Sequence, residues 1–159
     1  MTKTALREAI LQQLRAELAR QTNAAALARD EAISEESRAE SKWDTHSQEA
    51  AYLAEGQAKL AGEVTASLEL YASLPFPDLG PEDMIVLGAL VELETAGKTA
   101  RYFLGPRAGG LELSVNGQKL LVVTPASPLG RQLVGKRLGD TIKTTGRGAA
   151  ATQRIVAVS

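Results

Sequence analysis

The chain is expected to be α+β: an antiparallel helical hairpin (a two-stranded coiled coil), then a small β-sheet domain with one short helix. Three observations point there. Residues 1–74 hold no proline and only two glycines, Gly56 and Gly62, and are dominated by strong helix formers. Three prolines then crowd into Pro75–Pro81. Beyond them the apolar runs shorten to strand length and acquire turn dipeptides.

Within the first module, apolar side chains recur at Leu6, Ile10, Leu14, Leu18 and Ala25, and again at Leu53, Leu60, Val64, Leu68 and Tyr71. A lone helix this polar has no way to bury such a stripe, so the two stripes are expected to cover each other. In an antiparallel pair, facing residues have position numbers that add to a constant. Leu14 with Val64, Leu18 with Leu60 and Ala25 with Leu53 all give 78, and Leu6 with Tyr71 gives 77. The turn then falls near residue 39, and each arm of about 35 residues reaches about 50 Å. Two capping boxes compete for the start of the second helix, Ser37 with Glu40 and Thr45 with Gln48. The tip lies between about Ser34 and Ser47, where both stripes thin to alanine and polar groups.

The module boundaries are read as 1–74 for the hairpin, 75–83 for the linker and 84–159 for the sheet domain. Strand-length runs occupy Met84–Leu93, Tyr102–Leu104, Leu111–Val115, Lys119–Thr124 and Thr152–Val158. Asn116-Gly117 favours a type I′ hairpin turn. Ser127-Pro128 reads as an N-cap followed by the first helical residue, with Gly135 ending that short helix.

Composition narrows the chemistry. The absence of cysteine excludes disulfides, thiolate catalysis and sulfur-ligated zinc, and fits a reducing cytoplasm. No long apolar run or signal-peptide pattern is found, so neither a membrane span nor a leader is expected. The net charge of −1 hides an asymmetry. Residues 1–74 carry 8 basic against 12 acidic groups, and residues 75–159 carry 10 against 7. The two modules are therefore suited to different surroundings.

Ser127-Pro128-Leu129-Gly130-Arg131-Gln132-Leu133-Val134-Gly135-Lys136-Arg137-Leu138-Gly139-Asp140 resembles the Ser-Pro-Leu…Gly-Lys…Gly-Asp segment late in the Gre family of bacterial transcript-cleavage factors. Upstream, Glu49-Ala50-Ala51-Tyr52 resembles the Asn-Ala-Glu-Tyr element that opens their second hairpin helix. Chain length and the order of modules match too, so the likeness covers nearly the whole chain.

The resemblance implies an FKBP-like second domain docking on RNA polymerase, with Ser127, Pro128, Leu129, Gly130, Arg131 and Lys136 as the polymerase-binding residues. It implies that the hairpin enters the polymerase's secondary channel, where nascent RNA is cut. There the tip acids help hold a second Mg²⁺ at the polymerase's own active site, and the chemistry is two-metal phosphoryl transfer. The chain would then be an accessory factor rather than an enzyme, monomeric, with no cofactor bound alone. Mg²⁺ takes hard carboxylate oxygens and keeps several waters, so one or two added carboxylates suffice.

Residues 30–49 supply seven acids, Asp30, Glu31, Glu35, Glu36, Glu40, Asp44 and Glu49, against Arg38 and Lys42. The family carries an Asp and a Glu three apart just before its Asn-Ala-Glu-Tyr element. Aligned on Tyr52, those positions here are Thr45 and Gln48, which cannot be anions. Asp44 and Glu49 are the expected functional and Mg²⁺-binding pair, with Glu36 and Glu40 as second choice. Five residues apart on one continuous helix, Asp44 and Glu49 would face apart, so convergence needs Asp44 in the turn before the helix. The departure leaves open a channel-occupying factor that regulates without cleaving.

Other residues carry less. His46, the single histidine, has no neighbouring ligand type for a dedicated metal site. Trp43 reads either as a partner anchor or as packing across the turn. Arg131, Lys136, Arg137 and Lys143 form a basic stretch suited to an acidic protein surface or RNA, though no aromatics interleave to stack bases. Gly105–Gly110 lacks the Lys-Ser/Thr of a phosphate loop, and Ser127 lacks a nucleophile elbow and a nearby histidine. Two rival functions remain. Prolyl isomerisation needs an aromatic-lined pocket, for which the second module offers only Phe76, Tyr102 and Phe103. A dimerising coiled-coil adaptor needs an uninterrupted apolar seam.

Overall fold

The computed structural model describes residues 1–38, 46–144 and 151–159, excepting the side chains of 32, 35–38, 46–48 and 50. Two long helices come first: α1 (Lys3–Arg38) and α2 (His46–Ser73). Thr2 starts α1, its Oγ1 accepting the Ala5 amide at 3.1 Å. At the far end of α2 the Arg7 guanidinium donates to the carbonyls of Ala72 (3.0 Å) and Leu74 (2.8 Å). It also lies 4.5 Å over the Phe76 ring. Arg7 thus satisfies carbonyls that a helix end leaves open, and places the start of α1 beside the end of α2. The helices are therefore antiparallel. Because α1 continues to Arg38, Ser37 does not cap α2; the alternative cap, Thr45, lies outside the described residues.

The chain divides into two compact units, Leu11–Glu69 and Met1–Ile10 with Leu70–Ser159. In the helical unit, positions spaced by four and three are buried or half-buried: Leu11, Leu14, Leu18, Gln21, Ala25 and Ala28 on α1, and Ala54, Gln57, Ala61, Val64 and Leu68 on α2, with Glu17, Ala24, Ala66 and Ser67 buried or half-buried beside them. Spacing of this kind is the sequence signature of a coiled-coil stripe. Of the residues expected to face each other, Leu14 is buried and Val64, Leu18 and Ala25 are half-buried. The expected partners Leu53 and Leu60 are not: they stand 55% and 43% exposed, while Ala54 is 7% exposed.

The second unit contains a six-stranded mixed sheet built from β1 (Leu90–Thr95), β2 (Lys98–Leu104), β3 (Glu112–Val115), β4 (Gln118–Val123), β5 (Thr141–Thr144) and β6 (Ala151–Val158), in the order β3-β4-β2-β1-β6-β5. Only β2 and β4 pair in parallel. The Asn116-Gly117 turn forms as expected, with φ of 50° and 77°. Two expectations fail. The run Met84–Leu93 is strand only from Leu90, because Gly88 takes φ 93° and the Ala89 amide turns back to the Val86 carbonyl. Strand β5 went unread, since its pattern of one buried residue, Ile142, among polar ones is weak.

One sheet face is covered by the short helix α3 (Pro128–Leu133), whose Leu133 joins Val91, Leu93, Leu104, Val123, Ile142 and Ile155 in a buried cluster. The other face presents Phe103, whose ring lies 5.0 Å from Phe76 and 6.4 Å from Tyr71. Tyr71 is fully buried there, and Leu6 and Ile10 near the start of α1 are fully buried too. The hairpin's base therefore serves as a layer of the sheet domain. At the β5 edge, the Gln132 amide donates to the Lys143 carbonyl (2.5 Å) and accepts its amide (2.9 Å). This side chain occupies an edge that would otherwise invite a foreign strand.

Candidate functional site

The family-like segment folds as a clasp. Ser127 caps α3: its Oγ accepts the Gly130 amide at 3.0 Å and donates to the Thr124 carbonyl at 2.7 Å. Pro128 stands first in the helix and Gly135 follows its cap, both as expected. Gly130 is small for a physical reason, since a Cβ there would collide with the Thr124 carbonyl. Past the helix, the Ile85 amide donates to the Lys136 carbonyl and the Gly135 amide to the Ile85 carbonyl. The Asp140 carboxylate accepts the Arg137 amide at 2.8 Å. The segment thereby fastens β4, the 84–87 stretch and β5 together.

That geometry sorts the expected partner-binding residues. Ser127 and Gly130 engage their own fold. Leu129 is partly buried against the core. Pro128 and Arg131 are exposed and Lys136 is half-buried, so these three present side-chain surface. Beside them is a feature the sequence reading passed over. Met84, Val86, Leu87, Val134 and Leu138 are each 36–50% exposed, flanking the Ile85–Gly135 hydrogen bond. A period-two alternation around inward-facing Ile85 was the available signal.

At the other end of the hairpin, Glu49 lies in the first turn of α2 and is exposed. A carboxylate there is favoured by the helix dipole. Asp44, Glu40, Trp43 and Thr45 lie outside the described residues, as do the side chains of Glu36, His46 and Gln48. Among the described residues no group of three or more His, Cys, Asp or Glu forms a potential metal cage. None of the described helices is long and apolar enough to cross a membrane.

Two ionisable groups at the hairpin base are displaced. Lys3 donates to the Gly88 carbonyl at 2.7 Å, and burial lowers its pKa to about 8, only partly opposed by Asp78. Burial raises the Tyr71 phenol well above its usual range, although its hydroxyl donates to the Arg107 carbonyl at 2.6 Å. An open groove of about 590 Å³ crosses β2, β4 and β3. Its sole lining aromatic is Tyr102, among polar Glu112, Ser114 and Lys119. That lining does not suit a prolyl ring.

No family model matches the chain, and no curated protein does. Among solved structures, Thermus aquaticus Gfh1 is similar at 19% identity and a TM-score of 0.42, covering 95% of this chain and 94% of that one. Thermus thermophilus GreA factor homolog 1 (Gfh1) is similar at 19% identity and 0.39, covering 94% of both chains. The prokaryotic transcription elongation factor GreA/GreB from Nitrosomonas europaea is similar at 20% and 0.39, covering 65% of this chain and 79% of its own.

Proposed function

We propose that the chain is a divergent Gre-type transcription elongation factor, which docks on bacterial RNA polymerase through its sheet domain and inserts its hairpin into the secondary channel. The observation that carries this reading is the Ser127–Asp140 segment. Its family-like order of residues coincides with a clasp in which each small or capping position has a structural reason, while the side chains of Pro128, Arg131 and Lys136 keep surface that a partner could meet. An FKBP-like character for the sheet domain belongs to the same proposal.

At the tip, the proposed activity is stimulation of RNA cleavage by the polymerase's own Mg²⁺ site. Glu49 would supply one hard oxygen ligand. The described residues hold no complete cage, so the remaining ligands would come from Asp44, from the polymerase and from water. What the second ion supplies is stabilisation of the leaving oxygen. The chain's own part is to carry a carboxylate on a long, narrow helix pair.

A second reading is favoured by one observation. Thr45 and Gln48 stand where the family has its acids, which suits a factor that occupies the channel and retunes the polymerase without cutting RNA. Binding to a purified bacterial elongation complex tests the shared part of both readings. Cleavage of backtracked RNA, compared between the wild type and Glu49→Ala, separates them.

A further inference from the structure

We propose that the notch between β2 and β4 is a strand-addition site, taking a short extended peptide whose backbone pairs with Thr99 on one side and Lys119 on the other. Two hairpins flank it. Strands β1 and β2 stay paired down to Thr95 and Lys98, and β3 and β4 down to Val115 and Gln118. The parallel ladder joining these hairpins holds only Tyr102 with Leu121, Phe103 with Val122 and Leu104 with Val123. Lys98–Arg101 and Gln118–Leu120 therefore have no ladder partners across the junction. Twist is strongest in two-stranded ribbons, which gives the two hairpin tips a reason to part. The groove of about 590 Å³ lies at this parting. Side chains alternate between the faces of a sheet, and both faces line the groove: Tyr102 and Lys119 on one, Arg101 and Leu120 on the other. It runs between the strands and not merely across them.

The direction of the backbone identifies the occupant. Both turns hold two residues of positive φ, 50° and 77° at Ala96-Gly97 and again at Asn116-Gly117. In that type I′ geometry the flanking residues, Thr95 with Lys98 and Val115 with Gln118, form the first hydrogen-bonded pair. One residue further on, Thr99 and Lys119 must aim their N–H and C=O groups away from their hairpin partners, and so into the notch from opposite sides. Outward backbone groups on a strand edge are what an extended peptide satisfies. The β5 edge is closed by the Gln132 side chain. Among the described residues, no side chain does the same for Thr99 or Lys119. The lining sets the preferred side chains. Tyr102 and Leu121 are half-buried, and Lys119 is exposed with no ion pair among the described residues, whereas Arg101 is already held by Glu92. Glu112 lies opposite Leu121, farther from the tips than Lys119. A peptide of β-branched residues with one acid placed towards the tips suits this arrangement.

The probe is acetyl-Thr-Val-Glu-Val-Thr-amide, added to the full-length chain and read by amide NMR spectra and hydrogen exchange. In the free chain, the Thr99 and Lys119 amides are expected to exchange at least about tenfold faster than those of Ala100 and Leu120, which sit at hydrogen-bonded positions of the same hairpins. Peptide at about 5 mM is expected to shift the resonances lining the notch and to slow both amides several-fold. Methylating the nitrogens of both valines removes the donors of one peptide edge and should weaken binding at least about tenfold. Lys119→Glu, at an exposed position, should weaken it several-fold. The proposal is overturned by Thr99 and Lys119 amides already protected in the free chain, or by the absence of shifts in the notch at that concentration. Equal binding of the methylated peptide, or unchanged binding by Lys119→Glu, overturns it as well. So do shifts that grow with protein concentration alone, which would mean that a second copy fills the notch. The notch shares no lining residue with the Ser127–Asp140 segment, so its failure and a failure of polymerase docking are distinguishable.

Discussion

The Tyr71 hydroxyl occupies the place where Gly105 would carry a side chain, and from there it donates to the Arg107 carbonyl at 2.6 Å. A residue near the end of α2 thus decides what the loop after β2 may contain. Tyr71→Phe leaves that carbonyl short of a donor and is expected to cost about 1–2 kcal/mol. Gly105→Ala is expected to cost about 1–3 kcal/mol through overpacking. In the Tyr71→Phe background the Gly105→Ala cost should shrink, because the obstructing oxygen is gone. Urea denaturation midpoints of the four proteins check this, and strict additivity would refute the relationship. Alkaline absorbance titration should find one of the three tyrosines protonated until the protein unfolds, as burial requires of Tyr71.

Lys3 gives a pH signature. Its folded-state pKa of about 8 lies below the ordinary 10.5, so between those values the unfolded chain binds more protons. The destabilisation is fully present below pH 8 and is relieved as pH rises towards 10.5. Stability should therefore gain a positive slope in that window, small because the group is only about half-buried. Lys3→Met should remove this slope. A variant that retains it would show that the slope has another source.

Substitutions in the clasp should separate folding from docking. Ser127→Ala is expected to cost about 0.5–2 kcal/mol for the lost cap, and Gly130→Ala about 1–3 kcal/mol for the collision with Thr124. Arg131→Glu, at an exposed position, should leave the thermal midpoint nearly unchanged while weakening capture by the elongation complex by about tenfold or more. If Arg131→Glu binds like the wild type, this face is not the docking face.

Gln21 is a cost within the helical unit. Its Nε2 donates to Glu17 at 2.7 Å, but its Oε1 is buried without a partner. Gln21→Leu is expected to raise the stability of the hairpin by about 1–2 kcal/mol. Circular dichroism melts check it, and a lower midpoint would show that the amide holds the register.

How much of this was legible beforehand depends on the range of the interaction. Ser127-Pro128, Asn116-Gly117 and the break at Pro75 are local stereochemical signals, and each took the form its residues dictate. The antiparallel order was legible because two stripes of one length need each other for cover. Which residues are buried was not legible, since Leu53 and Ala54 differ by one helical step and it is Ala54 that is covered. Likewise nothing near Met84 announces that Gly88 will turn the chain before Leu90. At the candidate site, the cap and the small Gly130 were visible as pattern. The apolar surface around Met84 and Val134 arises from pairing between segments some 50 residues apart, of which only the alternation around Ile85 left a local mark.

The most direct test of the central claim is made on a purified, artificially backtracked bacterial elongation complex with Mg²⁺. It compares the wild type, Asp44→Ala and Glu49→Ala for binding and for RNA cleavage. The account predicts that all three bind, that the wild type accelerates cleavage, and that Glu49→Ala loses the acceleration. Binding without cleavage would select the channel-occupying regulator instead. A wild-type protein that does not bind the complex at all would contradict the account.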